Sequence, residues 1–175
     1  GNFYFIELST DLQTRLERNV TPHRLASKFS KNDIERSKKD LLETMEKQNV
    51  LGGKPIIEMW FITHWHGDHY IAMCDLMERF GDRVEFRTLL VNTPLIYNFP
   101  DRVKAMLVSH PEIRHIVPHT GQRFVYADAT LDVLYACEDH YPGEFKDSND
   151  TSTIIRMELA GRRVLWLGDS SPLSS

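Results

Sequence analysis

The segment FITHWHGDHY, residues 61–70, constrains this chain more than any other: His64, His66, Asp68 and His69 fall within six positions. They follow the apolar run KPIIEMWFIT (54–63), whose composition suits a largely buried strand. Side chains two apart on extended backbone point to one side, so His64 and His66 can converge on a single ion. Gly67 is expected to turn the chain there and aim Asp68 and His69 at a second point nearby. Mixed imidazole and carboxylate donors suit a divalent ion, with zinc favoured and manganese or iron as alternatives to it, better than magnesium or calcium. One or two such ions are expected.

The rest of the chain reads as strands alternating with helices, then paired strands. NFYFIEL (2–8) has strand composition. Ser30 and Asp33 resemble a capping box, which introduces a helix over 31–48 with Ile34, Leu41, Leu42 and Met45 on one face. A helix over 70–80 closes at Gly81, a strand follows over 83–91, and Pro100 opens a helix over 100–110. HPEIRHIVPHT (110–120) reads as a connecting loop and strand. Beyond it, strands are expected over 122–127 and 131–137, with a polar loop over 138–150. A hairpin over 152–169 turns at Ala160-Gly161. This order predicts an α/β domain with a mixed sheet.

THWHGDH resembles the H-x-H-x-D-H signature of the metallo-β-lactamase fold superfamily, placed at the end of a buried strand. RVLWLGD (163–169) resembles that superfamily's later motif, a strand ending in Gly-Asp. Between them, NDTSTIIRMELAGRRVLWLGD (149–169) is similar to the branch of metallo-β-lactamase-like domains found in DNA-uptake competence proteins, where an Asn-x-x-Ser stretch precedes the strand pair. The resemblance covers residues 54–169 and implies an αββα sandwich with mixed sheets, with residues 1–175 forming a single domain of that kind. It further implies that His64 and His66 hold the first metal, Asp68 and His69 the second, and that Asp169 bridges the two. Asp68 would also orient the attacking water, as the catalytic carboxylate.

Some elements of the superfamily pattern are altered. The slot of a third histidine for the first metal holds Asn149, and the sequence leaves open whether Asn149 or His140 completes that site. The superfamily has a further histidine beyond Gly-Asp, whereas this chain ends six residues after Asp169. The expectation is a domain incomplete at its C-terminus, with that ligand in a missing segment, absent, or supplied by another chain. No early Asp-x-Gly segment is evident between residues 9 and 53.

At 175 residues the chain is long enough for a real core, and its 41% hydrophobic and 26% charged content is that of an ordinary globular protein. A net charge of -4 gives no support for nucleic acid as a partner, although a local basic patch is not excluded by it. Cys74 and Cys137 are too few for a disulfide scaffold and read as small buried hydrophobes. No apolar run reaches the ~20 residues of a membrane helix, and a cytoplasmic location is the default expectation. Trp60, Trp65 and Trp166 read as core or site-wall residues. The functional expectation is a metal-dependent hydrolase that uses a metal-activated water. A phosphodiester is favoured as substrate over another small molecule. The alternatives are an acyl (lactam or thioester) hydrolase and a non-catalytic metal-binding module.

Overall fold

A computed structural model describes residues 42–43, 45–47, 52–94, 99–126, 128–140 and 144–170. The chain divides into two compact units, Gly1–Pro55 and Ile56–Ser175. In the first, residues 42–43 and 45–47 are helical, inside the helix expected over 31–48. The expected strand at 2–8 and the capping box at Ser30 lie outside the described residues. Among the described residues, no helix is long and apolar enough to cross a membrane.

The second unit is α/β with parallel and antiparallel sheets, as the alternation of patterns predicts. Its first half contains β1 (Ile56–Ile57), β2 (Trp60–Phe61), α1 (Gly67–Phe80), β3 (Glu85–Phe86), β4 (Thr88–Leu90), α2 (Asp101–Ser109) and β5 (Arg114–Ile116). All the strand pairs here are parallel: β1 with β3, β2 with β4, and β4 with β5. Parallel neighbours need a crossover between them, which α1 and α2 supply. The expected strands over 54–63 and 83–91 are each interrupted, yet the register is continuous, because Ile56 faces Glu85 and Trp60 faces Leu89. β4 is buried along its whole length, the polar Thr88 included, as a strand covered on both faces is.

The second half is an antiparallel sheet of β6 (Arg123–Tyr126), β7 (Ala129–Tyr135), β8 (Ile154–Leu159) and β9 (Arg162–Trp166), in that order. Alternation sorts its two faces. Leu131, Val133, Ile155 and Met157 are buried with Leu90 of β4 in one core cluster, and Phe61 and Ile116 of the parallel strands pack against it. The three-stranded parallel sheet β2–β4–β5 and this antiparallel sheet therefore meet face to face, as the ββ centre of a sandwich, while β1 and β3 pair as a separate two-stranded sheet. On the other face, Asp132 of β7 lies opposite Arg123 of β6 and Arg156 of β8, and pairs with both. The two guanidiniums hold its carboxyl down at about 2.

The helices carry their own buried stripes, Met73, Cys74, Leu76 and Met77 on α1 and Val103 and Met106 on α2. Arg102 of α2 ties them together by pairing with Asp75 and Glu78 of α1. The β8–β9 connection is the expected two-residue turn, with Ala160 at φ 50 and Gly161 at φ 72. Positive φ at both positions matches the right-handed twist of the strands, but alanine at the first carries a Cβ penalty there. Ala160→Gly is expected to stabilise the protein by about 0.5–1 kcal/mol. Urea unfolding would check this, with a higher midpoint at unchanged slope as the expected result.

Candidate metal centre

Three segments of the second unit meet at one point: residues 62–64 after β2, residues 151–153 before β8, and residues 167–169 after β9. Backbone pairing fixes two of them. Ile62 N–H donates to the Leu90 carbonyl at 3.0 Å, and Thr153 N–H donates to the Thr63 carbonyl at 2.9 Å. The third arrives through Gly168, at φ +62, where a Cβ would lie 2.7 Å from Ser152 Oγ and 3.0 Å from Thr63 Cβ. Only glycine fits so close a crossing in that backbone conformation.

At this crossing His64, His66 and Asp169 each present a ligand atom, and these atoms all lie within 4.8 Å of one another. Nε2 of His64 and Nδ1 of His66 are 3.0 Å apart. Two nitrogens on one tetrahedral ion would be separated by ~3.3 Å, so the pair is already at coordination spacing. His69 joins from the side, its Nε2 3.6 Å from Asp169 Oδ2 and its ring 4.2 Å from that of His64. Asp68 is the outlying member: its side chain is 38% exposed and stands 4.0 Å from His69 Nε2.

Gly67 does not turn the chain as expected. It is the first residue of α1, with His66 as N-cap, so Asp68 and His69 lie on the first helical turn. A carboxylate there is favoured by the partial positive charge of the helix N-terminus. The helix thus starts three residues before the expected position, and it rather than a loop carries these two donors.

His64 is wholly buried. Burial, helped by the neighbouring His69 and His66, pushes its pKa down from 6.5 to about 4, while Asp169 and Asp68 oppose the shift. The imidazole is therefore neutral near pH 7, the form that binds a metal. Its inner nitrogen faces His66; its Nδ1 lies 3.1 Å from Thr63 Oγ1 and 3.2 Å from Ser152 Oγ. Nδ1 of His69 lies 3.3 Å from Thr63 Oγ1, and Nε2 of His66 contacts Ser148 Oγ. Ser152 Oγ also accepts the Asp169 N–H at 3.3 Å. Thr63 and Ser148 carry no signal of their own in the sequence. Ser152 sits within the quoted Asn-x-x-Ser stretch, which was the available signal.

His140 does not complete the cluster. Its nitrogens face the Tyr135 hydroxyl and the Glu144 carbonyl, and its ring stacks on Phe145. Asn149 stands in the short 3-10 turn Ser148–Thr151, and its Oδ1 is buried with no hydrogen-bond partner among the described residues. His110, His115 and His119 are engaged with Glu112, the Val91 carbonyl and Glu138 respectively. Trp65 donates to Thr93 Oγ1 at 2.8 Å and packs on Tyr70 and Phe99, a wall beside the cluster. The donor set and its spacing suit a divalent metal.

No protein-family model matches this sequence, and no curated protein matches it. Solved structures do show a likeness. CmlA, a diiron β-hydroxylase from Streptomyces venezuelae, aligns at TM-score 0.47 with 18% identity over 70% of this chain. Its E-to-D variant aligns at TM-score 0.48 with 19% identity. Zn(2+)-bound PqqB from Methylobacterium extorquens aligns at TM-score 0.39 with 10% identity over 72% of this chain. The chain spans 22% of the length of CmlA and 40% of that of PqqB.

Two outcomes follow from this geometry. Because the folded pKa of His64 lies below 6.5, the unfolded chain takes up its proton first as acid is added. Chelator-treated protein should lose up to about 3 kcal/mol of stability from this group between pH ~7 and pH ~4. Urea unfolding across that range would show it, and the same slope should be missing in His64→Gln. Gly168→Ala should cost at least about 2 kcal/mol, from the left-handed backbone and the contact with Ser152; a drop in melting temperature would register it.

Proposed function

We propose that this chain carries the metal centre of a hydrolase of the metallo-β-lactamase type. The observation behind this reading is the convergence of His64, His66 and Asp169, whose ligand atoms lie within 4.8 Å of one another. The signature at 64–69 and the Gly-Asp at 168–169 supply the family assignment, on the sequence resemblance alone. The reading concerns Ile56–Ser175, the unit that holds every residue named.

His64 and His66 would hold the first ion, His69 and Asp68 the second, and Asp169 would serve both. Zinc is favoured, with manganese or iron as alternatives. A divalent ion at such a centre lowers the pKa of water towards neutrality and polarises the oxygen of the substrate. The roles of the chain itself are more specific. Asp68 is the more exposed of the two carboxylates, at 38% against 29% for Asp169, and would accept a hydrogen bond from an attacking water and hold it in line. Asp169, between His69 and the His64–His66 pair, offsets positive charge that gathers there. Burial of His64 keeps its imidazole neutral and ready to bind.

A phosphodiester is the favoured substrate, on the similarity of residues 149–169 to the DNA-uptake branch. Two free, buried cysteines suit a reducing compartment and support a cytoplasmic location. A non-catalytic reading has its own support, because Asn149 stands where a third histidine is expected and Asp68 is outside the three-donor group.

Metal titration and a substrate panel separate these readings. Two equivalents of zinc or manganese per chain are expected, with turnover of bis-p-nitrophenyl phosphate exceeding that of nitrocefin or a thioester. Asp68→Ala should lower kcat by about 100-fold or more while the His64–His66 site still takes up zinc. One equivalent or none, with no turnover on any substrate, would favour the non-catalytic module. Faster nitrocefin or thioester cleavage would move the substrate class to acyl compounds.

A further inference from the structure

The imidazoles of the cluster do not orient themselves. Each has a second nitrogen facing away from the donor centre, and in this protein that nitrogen meets a hydroxyl. Two hydroxyls stand out because each serves more than one partner. Thr63 Oγ1 lies 3.1 Å from His64 Nδ1 and 3.3 Å from His69 Nδ1. Ser152 Oγ lies 3.2 Å from His64 Nδ1 and accepts the Asp169 N–H at 3.3 Å.

We propose that Thr63 and Ser152 form a buried brace that positions three donors at once, His64, His69 and Asp169, and so couples the two halves of the metal centre. This inference rests on the metal reading above.

The valence of the atoms supports it. A histidine that binds an ion through Nε2 keeps its proton on Nδ1, which must then donate to an acceptor if it is buried. His64 is fully buried, so that acceptor has to come from the protein. A hydroxyl oxygen has two lone pairs, so Thr63 Oγ1 can accept from both His64 and His69. The single Nδ1–H of His64 is then shared between Thr63 Oγ1 and Ser152 Oγ as a three-centre bond, and Ser152 Oγ also accepts from the Asp169 amide. Asparagine or aspartate could accept in the same way, but a carboxylate would add charge to a buried pocket.

The location fits the role. Ser152 is wholly buried and Thr63 is 9% exposed, so neither hydroxyl is readily exchanged for bulk water. The Thr153 N–H to Thr63 carbonyl bond holds the two residues' backbones together. Gly168 presses on both, which brings Asp169 within reach of Ser152. Ser148 differs, since it contacts His66 alone among the donors. Thr63 and Ser152 are positioning residues, acting through the imidazoles and the Asp169 backbone.

The test compares zinc affinity, by competition with a chromophoric chelator, in the wild-type protein, Thr63→Val, Thr63→Ser and Ser152→Ala. Valine keeps the shape of threonine and removes the hydroxyl. Thr63→Val is expected to weaken zinc binding about 10–100-fold for every equivalent that the wild type takes up. Thr63→Ser should restore affinity to within a few-fold of wild type. Ser152→Ala should weaken the tightest equivalent by a similar factor. Long-range nitrogen–proton NMR on the zinc-loaded wild type should show the His64 and His69 protons on Nδ1. A threonine acting only through its shape would leave zinc affinity unchanged in the isosteric Thr63→Val. Zinc uptake unchanged in Thr63→Val, failure of Thr63→Ser to restore it, or protons on Nε2 would overturn the brace alone. No zinc uptake by the wild type would overturn the metal reading, and the brace with it.

Discussion

The candidate centre depends on one backbone hydrogen bond, from Thr153 N–H to the Thr63 carbonyl, 2.9 Å long. It splices the end of the parallel strands to the start of β8. Thr63, Thr153 and their neighbours His64 and Ser152 are all buried around it. A buried imidazole is costly unless its nitrogens are satisfied, and this splice brings the satisfying groups to it. Were the two sheets to slide past each other, His64 would be left as an orphaned polar group in the core. Fold and site are held by the same contact.

The sheets supply the rigidity that such a splice needs. The core cluster joins Leu90 of the parallel strands to Leu131, Val133, Ile155 and Met157 of the antiparallel ones. On the opposite face the Arg123–Asp132–Arg156 clasp runs across three strands and fixes their register side by side. Asp68 and His69 approach from another direction, on the first turn of a 14-residue helix. That helix is anchored through Arg102 to α2, so its position is not set by the sheet alone.

Much of this is legible in the sequence. The meeting of His64, His66 and Asp169 follows from the motif pattern, although the backbone bends at 63–64 after β2 instead of continuing as a strand. The hairpin at Ala160-Gly161 follows from turn chemistry. The start of α1 does not, because glycine and histidine are weak helix formers and His-Gly-Asp-His reads locally as a turn. The strand breaks near Glu58 and Arg87 are hidden for another reason. Both residues point charges outward and pair with each other, and no local pattern announces a cross-strand pair 29 positions away. The hydroxyls at 63 and 148 are invisible for a third: serine and threonine are common, and only tertiary contact distinguishes those that touch histidines.

The turn at Ala160-Gly161 has a consequence beyond local geometry. Strands alternate their faces residue by residue, so the count between Ser152 and Asp169 acts as a ruler with a two-residue tick. Lengthening β9 itself by a single residue would invert the parity of everything beyond the insertion. The sheet could re-form with its apolar residues reversed, or keep them in place and carry Gly168 and Asp169 one step out of reach. Chain length in this hairpin is therefore under the same constraint as the identity of the donors, even though no atom of the turn touches them.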